Sequence, residues 1–129
     1  MIEIELSTIV DNIATVQELV KLPVNARMAY RLIKICQKAV DEYNRYISVR
    51  DKIVKDVKGV IFKDGKLMVA HNQGQPVIEE DILDGIKQQL ADLGHEKVTF
   101  DVPYIEMKDI ENVTMTPLSM VFLEHFIKE

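Results

Sequence analysis

The first six residues alternate strictly between apolar and acidic side chains. Ile2, Ile4 and Leu6 occupy the apolar positions, and Glu3 and Glu5 lie between them. A period of two places alternate side chains on opposite faces of a β-strand, so this pattern predicts a half-buried strand.

A first helix is predicted to follow this strand. Thr8 is a good N-cap, and Asp11 completes a capping box with it. Helical spacing then places four apolar residues on one face: Ile9, Ile13, Val16 and Val20. The helix is expected to end at Leu22, because the residue before Pro23 is driven out of the α region.

A second, longer helix is predicted to begin at about Asn25, since no Gly or Pro interrupts the following chain before Gly59. It would span about 30 residues, or about 45 Å. A near-heptad apolar series runs along it: Ile33, Cys36, Val40, Tyr43, Ile47 and Val54. Further apolar residues widen this stripe: Ala29, Leu32, Ala39, Tyr46 and Ile53. The spacing is typical of a helix that packs lengthwise on the first helix, on a later helix or on its counterpart in a second copy.

The next part of the chain predicts a hairpin and a third helix. Two apolar runs within residues 57–70 flank Asp64 and Gly65, and this is a strong hairpin signal because glycine tolerates a positive φ. Helical spacing of apolar residues over 78–93 predicts a helix that Gly94 ends.

The last third of the chain predicts a strand and a terminal helix. Apolar residues recur at every second position over 98–105, which predicts a strand. Pro103 confines this strand to the edge of a sheet or to a bulge. Thr116 is an N-cap and Pro117 a first helical residue for a helix that continues through Phe126. The expected fold is α+β in one domain, residues 1–129. A long helix packs on shorter helices, beside a small antiparallel sheet of terminal strands and a β-hairpin.

Composition narrows the class of protein. The 129 residues carry 16 Lys and Arg against 21 Asp and Glu, a net charge of −5, and 47% are hydrophobic. Such a chain is an ordinary globular domain, and its acidity argues against general nucleic-acid binding. The single cysteine, Cys36, excludes an internal disulfide and is expected to be a buried structural thiol. No apolar run is long enough to span a membrane, and no secretion signal is recognised, so we expect a soluble protein in a reducing compartment.

Candidate catalytic chemistry is sparse. His71, His95 and His125 do not stand at metal-ligand spacing, and no phosphate-binding glycine loop or nucleophile-elbow motif occurs. The acidic residues Glu79–Asp81 suit a helix N-terminus, where they complement the helix dipole. We therefore expect no enzyme activity, no metal and no cofactor.

A row of basic residues follows one face of the long helix: Arg27, Arg31, Lys34, Lys38 and Arg45. The first interpretation is a solvated face. The second is an anion-binding site formed by Arg27, Arg31, Lys34 and Lys38, because several cationic donors near a helix start suit a phosphate or carboxylate.

Aromatic residues indicate candidate interfaces. Tyr43 and Tyr46 on the long helix fit either a subunit interface or the core. The run Leu118–Ile127 is apolar nearly all round, and such a helix needs burial on several sides. A contact between subunits through Phe122 and Phe126 is therefore expected.

The layout resembles a known family. Leu22 and Pro23 before the long helix, the segment 41–46 within it, the turn 113–117 and the final hydrophobic helix are similar to small tailed-phage and prophage proteins, including domain of unknown function 1617. The hairpin at 57–70 is more pronounced than in that family. The resemblance implies a phage or prophage source, action in the host cytoplasm and a non-enzymatic role, with no catalytic residues to carry over.

Two functions follow as expectations. The first is a phage-encoded accessory protein that self-associates and acts by binding a partner, either an assembly protein or a host factor. The second is an anti-defence protein that sequesters an anionic host signal of the cyclic-nucleotide type, or inhibits a host immune effector. The expected partners are a second copy of the chain and either a host or phage protein or a small anionic ligand, without a membrane.

Overall fold

The computed structural model describes residues 2–55, 57, 59–63, 66–76 and 78–128. The elements, in chain order, are β1 (Ile2–Glu5), α1 (Leu6–Asp11), α2 (Ile13–Leu19), α3 (Ala26–Val54), β2 (Val60–Lys63), β3 (Lys66–Val69), β4 (His71–Asn72), β5 (Gln75–Pro76), α4 (Glu80–Gly94), β6 (Lys97–Phe100) and α5 (Pro117–Leu123). Short 3-10 turns lie at Met107–Asp109 and Glu124–Phe126. The predicted α+β fold is confirmed.

β1 and β6 form the antiparallel pair that the alternating pattern predicts. Ile2 lies opposite Phe100, and the apolar side chains of both strands are buried on one face. The strand predicted over 98–105 is shorter, since β6 ends at Phe100 and Pro103 lies beyond it. The sheet therefore closes one side of the core with only four residues from each strand.

The predicted first helix is instead two helices that meet at Asn12. The backbone of Asn12 has φ −116° and ψ 16°, and its side-chain Nδ2 donates to the carbonyl of Thr8 at 2.7 Å. Because β1 runs directly into α1, the first helix already begins at Leu6. Glu5 precedes it without a side-chain cap, so the predicted capping box of Thr8 and Asp11 is wrong.

The long helix is confirmed and runs from Ala26 to Val54, a length of about 44 Å. The Asn25 side-chain oxygen accepts a hydrogen bond from the Met28 N–H at 2.9 Å, which satisfies one free donor of the first turn. Helices α1, α2 and α4 of the same chain pack against α3. Neighbours within the chain thus supply the helix partners that the sequence left open.

The face of α3 that enters the core coincides only in part with the predicted one. The fully buried positions are Met28, Leu32, Ile35 and Ala39, and Ile33 of the predicted series is 43% exposed. The near-heptad series is one residue out of phase, a rotation of about 100° around the helix, whereas Leu32 and Ala39 of the widened stripe are buried. Two adjacent apolar stripes share the same period, and only the packing of α1 and α2 selects between them.

The largest cluster of buried apolar side chains, the main core, lies among α1, α2, α3 and the β1–β6 sheet. The C-terminal segment completes it. Thr116 caps α5 as predicted, and its Oγ1 accepts from the Ser119 N–H at 3.2 Å. Phe122 and Phe126 are buried among residues of the same chain, and the Phe126 ring meets the Phe100 ring edge-on with centroids 5.1 Å apart. The predicted interface role of Phe122 and Phe126 is wrong, because their side chains fill this core.

A second, smaller group of apolar residues, the distal cluster, lies at the other end of α3. Val60, Ile78 and Ile86 are its buried residues, and the end of α3 packs against them. β2 and β3 pair antiparallel as the hairpin signal predicts, while the turn residues Asp64 and Gly65 lie outside the described residues. The following stretch forms the short antiparallel pair of β4 and β5.

Gly94 was predicted to be the C-cap of α4, but it is the last helical residue and His95 is the C-cap, so this prediction is wrong. Gly94 is instead placed at a close contact between helices. A Cβ at this position would lie 3.3 Å from the Cβ of Ser7, so α1 approaches α4 where a larger residue would force a shift. Among the residues that the structure describes, no helix combines the length and apolarity needed to cross a bilayer.

Candidate functional site

The predicted basic row borders a shallow groove along the first half of α3. On one side, Arg27, Tyr30, Arg31, Lys34 and Lys38 project from α3. On the other lie residues 99–103, which are the end of β6 and the chain that follows it. Two adjoining hollows of about 330 and 380 Å³ share Lys34, Asp101 and Val102. A third hollow of about 370 Å³ continues the groove towards Asn25 and Asp109. We call this continuous surface the α3–β6 groove.

Two of its four cations contact carboxylates of their own chain. Arg31 Nη1 lies 3.8 Å from Asp109 Oδ2, and the Arg31 side chain is 13% exposed. Lys38 Nζ lies 3.1 Å from Glu42 Oε1. Both cations are thus held in place and partly neutralised.

The other two cations keep their charge available. Lys34 Nζ lies 5.0 Å from the centroid of the exposed Tyr30 ring, a cation–π contact. Within the described chain, neither Lys34 nor Arg27 has a carboxylate oxygen within 4.0 Å, and Asp101 in the opposite wall has no cationic partner at that distance.

Glu42 joins the groove to the rest of the fold. Burial alone would raise the pKa of Glu42, but hydrogen bonds from Arg45 and Lys38 outweigh it, and the pKa lies below its ordinary value. Arg45 Nε donates to Glu42 at 2.8 Å and Arg45 Nη2 donates to Glu96 at 2.8 Å. Arg45 therefore ties α3 to the chain just before β6.

A separate apolar groove lies between α2 and α5 and has a volume of about 610 Å³. Its walls include Ala14, Leu22, Met115 and Leu118. The Leu118 side chain is 64% exposed, and Val121, one turn further along α5, is 55% exposed. We call this surface, with its rim residues, the α2–α5 groove.

The charged rim of the α2–α5 groove carries both signs. Glu18 and Lys21 line it, and Lys21 Nζ lies 3.2 Å from Glu18 Oε1. Both side chains are more than half exposed, so each is free to exchange its partner for one on another molecule.

The sequence indicated a surplus of apolar surface on the last helix but assigned the wrong residues to it. The inward face of α5 holds Phe122 and Leu123, while Leu118 and Val121 point outward. A helical projection of α5 separates these two faces, but the sequence does not show which of them meets the core.

The structure places one of the two predicted tyrosine anchors against the core. Tyr46 packs against the main core, which is the core interpretation. Tyr43 is half-buried on the flank of α3, and its interface role stays a prediction.

Candidate chemical groups are separated in space. Over the described ranges, no group of three or more His, Cys, Asp and Glu side chains is placed to hold a metal ion. Cys36 is half-buried against the main core, and burial raises the pKa of its thiol, which disfavours the reactive thiolate. His125 Nδ1 lies 3.0 Å from the Phe122 carbonyl and thus has a partner on its own helix end.

Comparisons of the chain with protein-family models, curated proteins and solved structures found no match. The two grooves are therefore the basis for inferring function.

Proposed function

We propose that the protein is a non-enzymatic binding protein that forms a homodimer through the α2–α5 groove and acts by holding a partner. The exposure of Leu118 and Val121 beside a 610 Å³ apolar groove carries this proposal. Clustered apolar side chains next to an apolar concavity are typical of an interaction site, because covering them removes apolar surface from water.

A second copy of the chain fits this groove better than an unrelated partner. In a two-fold dimer each residue meets the reciprocal residue of its partner, so the surface has to be self-complementary. Leu118 protrudes beside the hollow that would receive its counterpart. Glu18 and Lys21 supply both charges at the rim, so Lys21 of one copy would pair with Glu18 of the other.

The biological setting of the proposal comes from the resemblance to phage and prophage proteins. In that setting the dimer is an accessory protein in the host cytoplasm, and its partner is an assembly protein or a host factor. The α3–β6 groove, on other elements than α2 and α5, leaves a surface for that partner when the dimer forms.

Sedimentation velocity tests the dimer with a matched pair of variants. Leu118→Asp places a charge at the second residue of α5, and Ile82→Asp does the same in the first turn of α4, where Ile82 is 47% exposed. We expect dimers for the wild type and Ile82→Asp and monomers for Leu118→Asp, with equal helical circular dichroism. A wild type that stays monomeric at several hundred micromolar, or a dimeric Leu118→Asp, would refute the proposal.

Sequestration of a small anionic signal is the second candidate. The exposed Tyr30 ring with Lys34 against it favours this candidate, since an aromatic face and cations suit a nucleotide. The contacts of Arg31 with Asp109 and of Lys38 with Glu42 weigh against it. Calorimetric titration with cyclic AMP and with a cyclic dinucleotide separates the candidates, because binding that the Arg27→Ala, Arg31→Ala double variant abolishes would favour sequestration.

A further inference from the structure

We propose that the α3–β6 groove binds an extended acidic peptide segment of a protein partner, which adds to β6 as a third strand. This inference names the class of partner for the binding role proposed above. It does not depend on the dimer, since α2 and α5 form no part of this groove.

The backbone of β6 has an open edge. The Leu6 N–H donates to the Glu96 carbonyl at 2.8 Å, which extends the β1–β6 ladder by one residue pair. In an antiparallel pair the hydrogen-bonded residues alternate, so Val98 and Phe100 bond to β1. Lys97 and Thr99 then direct their N–H and C=O groups away from β1. In the part of the chain that the structure describes, these groups bond to no other backbone segment.

This edge runs beside the basic side of α3. Thr99 and Phe100 line the hollow that contains Lys38, and Pro103 lines the hollow that contains Arg27. The helix and the segment 99–103 therefore run antiparallel to each other along the groove. A strand added along β6, which ends at Phe100, would lie beside Lys34 and Lys38, while Arg27 and Arg31 lie beside the chain that follows β6.

The spacing of the cations suits a strand. Residues four apart on a helix are separated by about 6 Å along its axis, as are Arg27 and Arg31, and also Lys34 and Lys38. Alternate residues of a β-strand are separated by about 6.6 Å. Acidic residues at two alternate positions of the added strand would thus meet Lys34 and Lys38, the second of which also contacts Glu42.

The acidic residues within the groove favour a peptide over a nucleic acid. Asp41, Asp101 and Asp109 line the groove, and the chain carries a net charge of −5. A nucleic-acid strand places a phosphate at every nucleotide and would meet these carboxylates. A peptide with carboxylates only at the positions beside Lys34 and Lys38 brings fewer negative charges near them, and it also supplies N–H and C=O groups that can bond to the β6 edge.

Selection from a library of random decapeptides displayed on yeast tests the charge pattern. The wild type should enrich peptides with Asp or Glu at alternate positions, and Lys34→Glu, Lys38→Glu should bind those peptides at least tenfold more weakly. Lys52→Glu, Lys87→Glu carries the same change of charge on exposed lysines outside the groove and should bind like the wild type. Absence of an acidic pattern, or equal binding by the groove variant, would overturn the proposal.

Methylation of the peptide backbone tests the added strand. The best peptide would be made in two forms, with N-methyl groups on the odd or on the even amides. Only one form should lose binding, by tenfold or more, because alternate amides face β6. Equal effects of both forms would refute strand addition. The same titrations on Leu118→Asp should show unchanged peptide binding, so that failure of the groove and failure of the dimer are told apart.

Discussion

The main core and the distal cluster differ in the way that the chain builds them. The main core joins β1, α1 and α2 to β6 and α5, so residues from both ends of the sequence meet on the first half of α3. The distal cluster uses only residues 53–90, a single continuous stretch. The main core contains three fully buried phenylalanines, and the distal cluster has only three buried residues in all among those described: Val60, Ile78 and Ile86.

This difference indicates where the protein is rigid and where it opens. Local opening costs least where few apolar side chains are buried and where the strands pair only in isolated two-stranded hairpins. Both proposed binding surfaces lie on elements of the main core. The α2–α5 groove and the α3–β6 groove therefore stand on the more stable region, and the distal cluster is expected to open without disturbing either.

The largest loss of stability is expected from a substitution in the main core. Phe126→Ala removes a fully buried ring that packs on Phe100 and Phe122, and it should lower the free energy of unfolding by about 4 kcal/mol. Chemical denaturation followed by circular dichroism measures the loss. A loss below about 1 kcal/mol would mean that Phe126 does not belong to the core.

A smaller and more local loss of stability is expected from a substitution in the distal cluster. Ile86→Ala leaves a cavity under the β2–β3 hairpin and should cost about 2 kcal/mol. Hydrogen exchange should speed up at amides of the hairpin, while the amides of Val98 and Phe100 in β6 keep their protection. Equal acceleration in both regions would show that the two clusters open together and would remove the distinction.

The smallest effect is a pH dependence at the junction of α3 and β6. The folded-state pKa of Glu42 lies below its ordinary value of 4.5, so the carboxylate stabilises the fold above that pH and loses this contribution as the pH falls through the folded pKa. The melting temperature of Glu42→Gln should therefore fall less than that of the wild type between about pH 6 and about pH 3. Glu111→Gln, a change at an exposed residue, serves as the control. Parallel acid profiles for the wild type and Glu42→Gln would contradict the role of this ion cluster.

Local patterns predicted those parts of the fold that depend on neighbouring residues. The alternation at Ile2–Leu6 predicts β1, and Asn25 and Thr116 predict the starts of α3 and α5, because capping is decided within one helical turn. The break at Asn12 was missed, since the apolar spacing continues through it. The orientation of α3 was predicted only in part, because Leu32 lies in the predicted stripe and is buried, whereas the pattern does not separate the buried Ile35 from the exposed Ile33.

The candidate surfaces required contacts between distant parts of the chain. The basic row was visible from Arg27 to Lys38, but its opposite wall at residues 99–103 and the neutralisation of Arg31 by Asp109 are not visible in any local pattern. The α2–α5 groove likewise pairs elements about a hundred residues apart in number. Only the packed fold brings such segments together.

Native mass spectrometry of the protein, purified gently, tests the central claim most directly. The account predicts a species of twice the chain mass for the wild type and a single chain for Leu118→Asp under identical conditions. A wild-type spectrum of single chains at every concentration, or a dimer that persists in Leu118→Asp, would contradict self-association through the α2–α5 groove. A small molecule retained by the wild type and lost with Arg27→Ala, Arg31→Ala would instead favour sequestration of an anion.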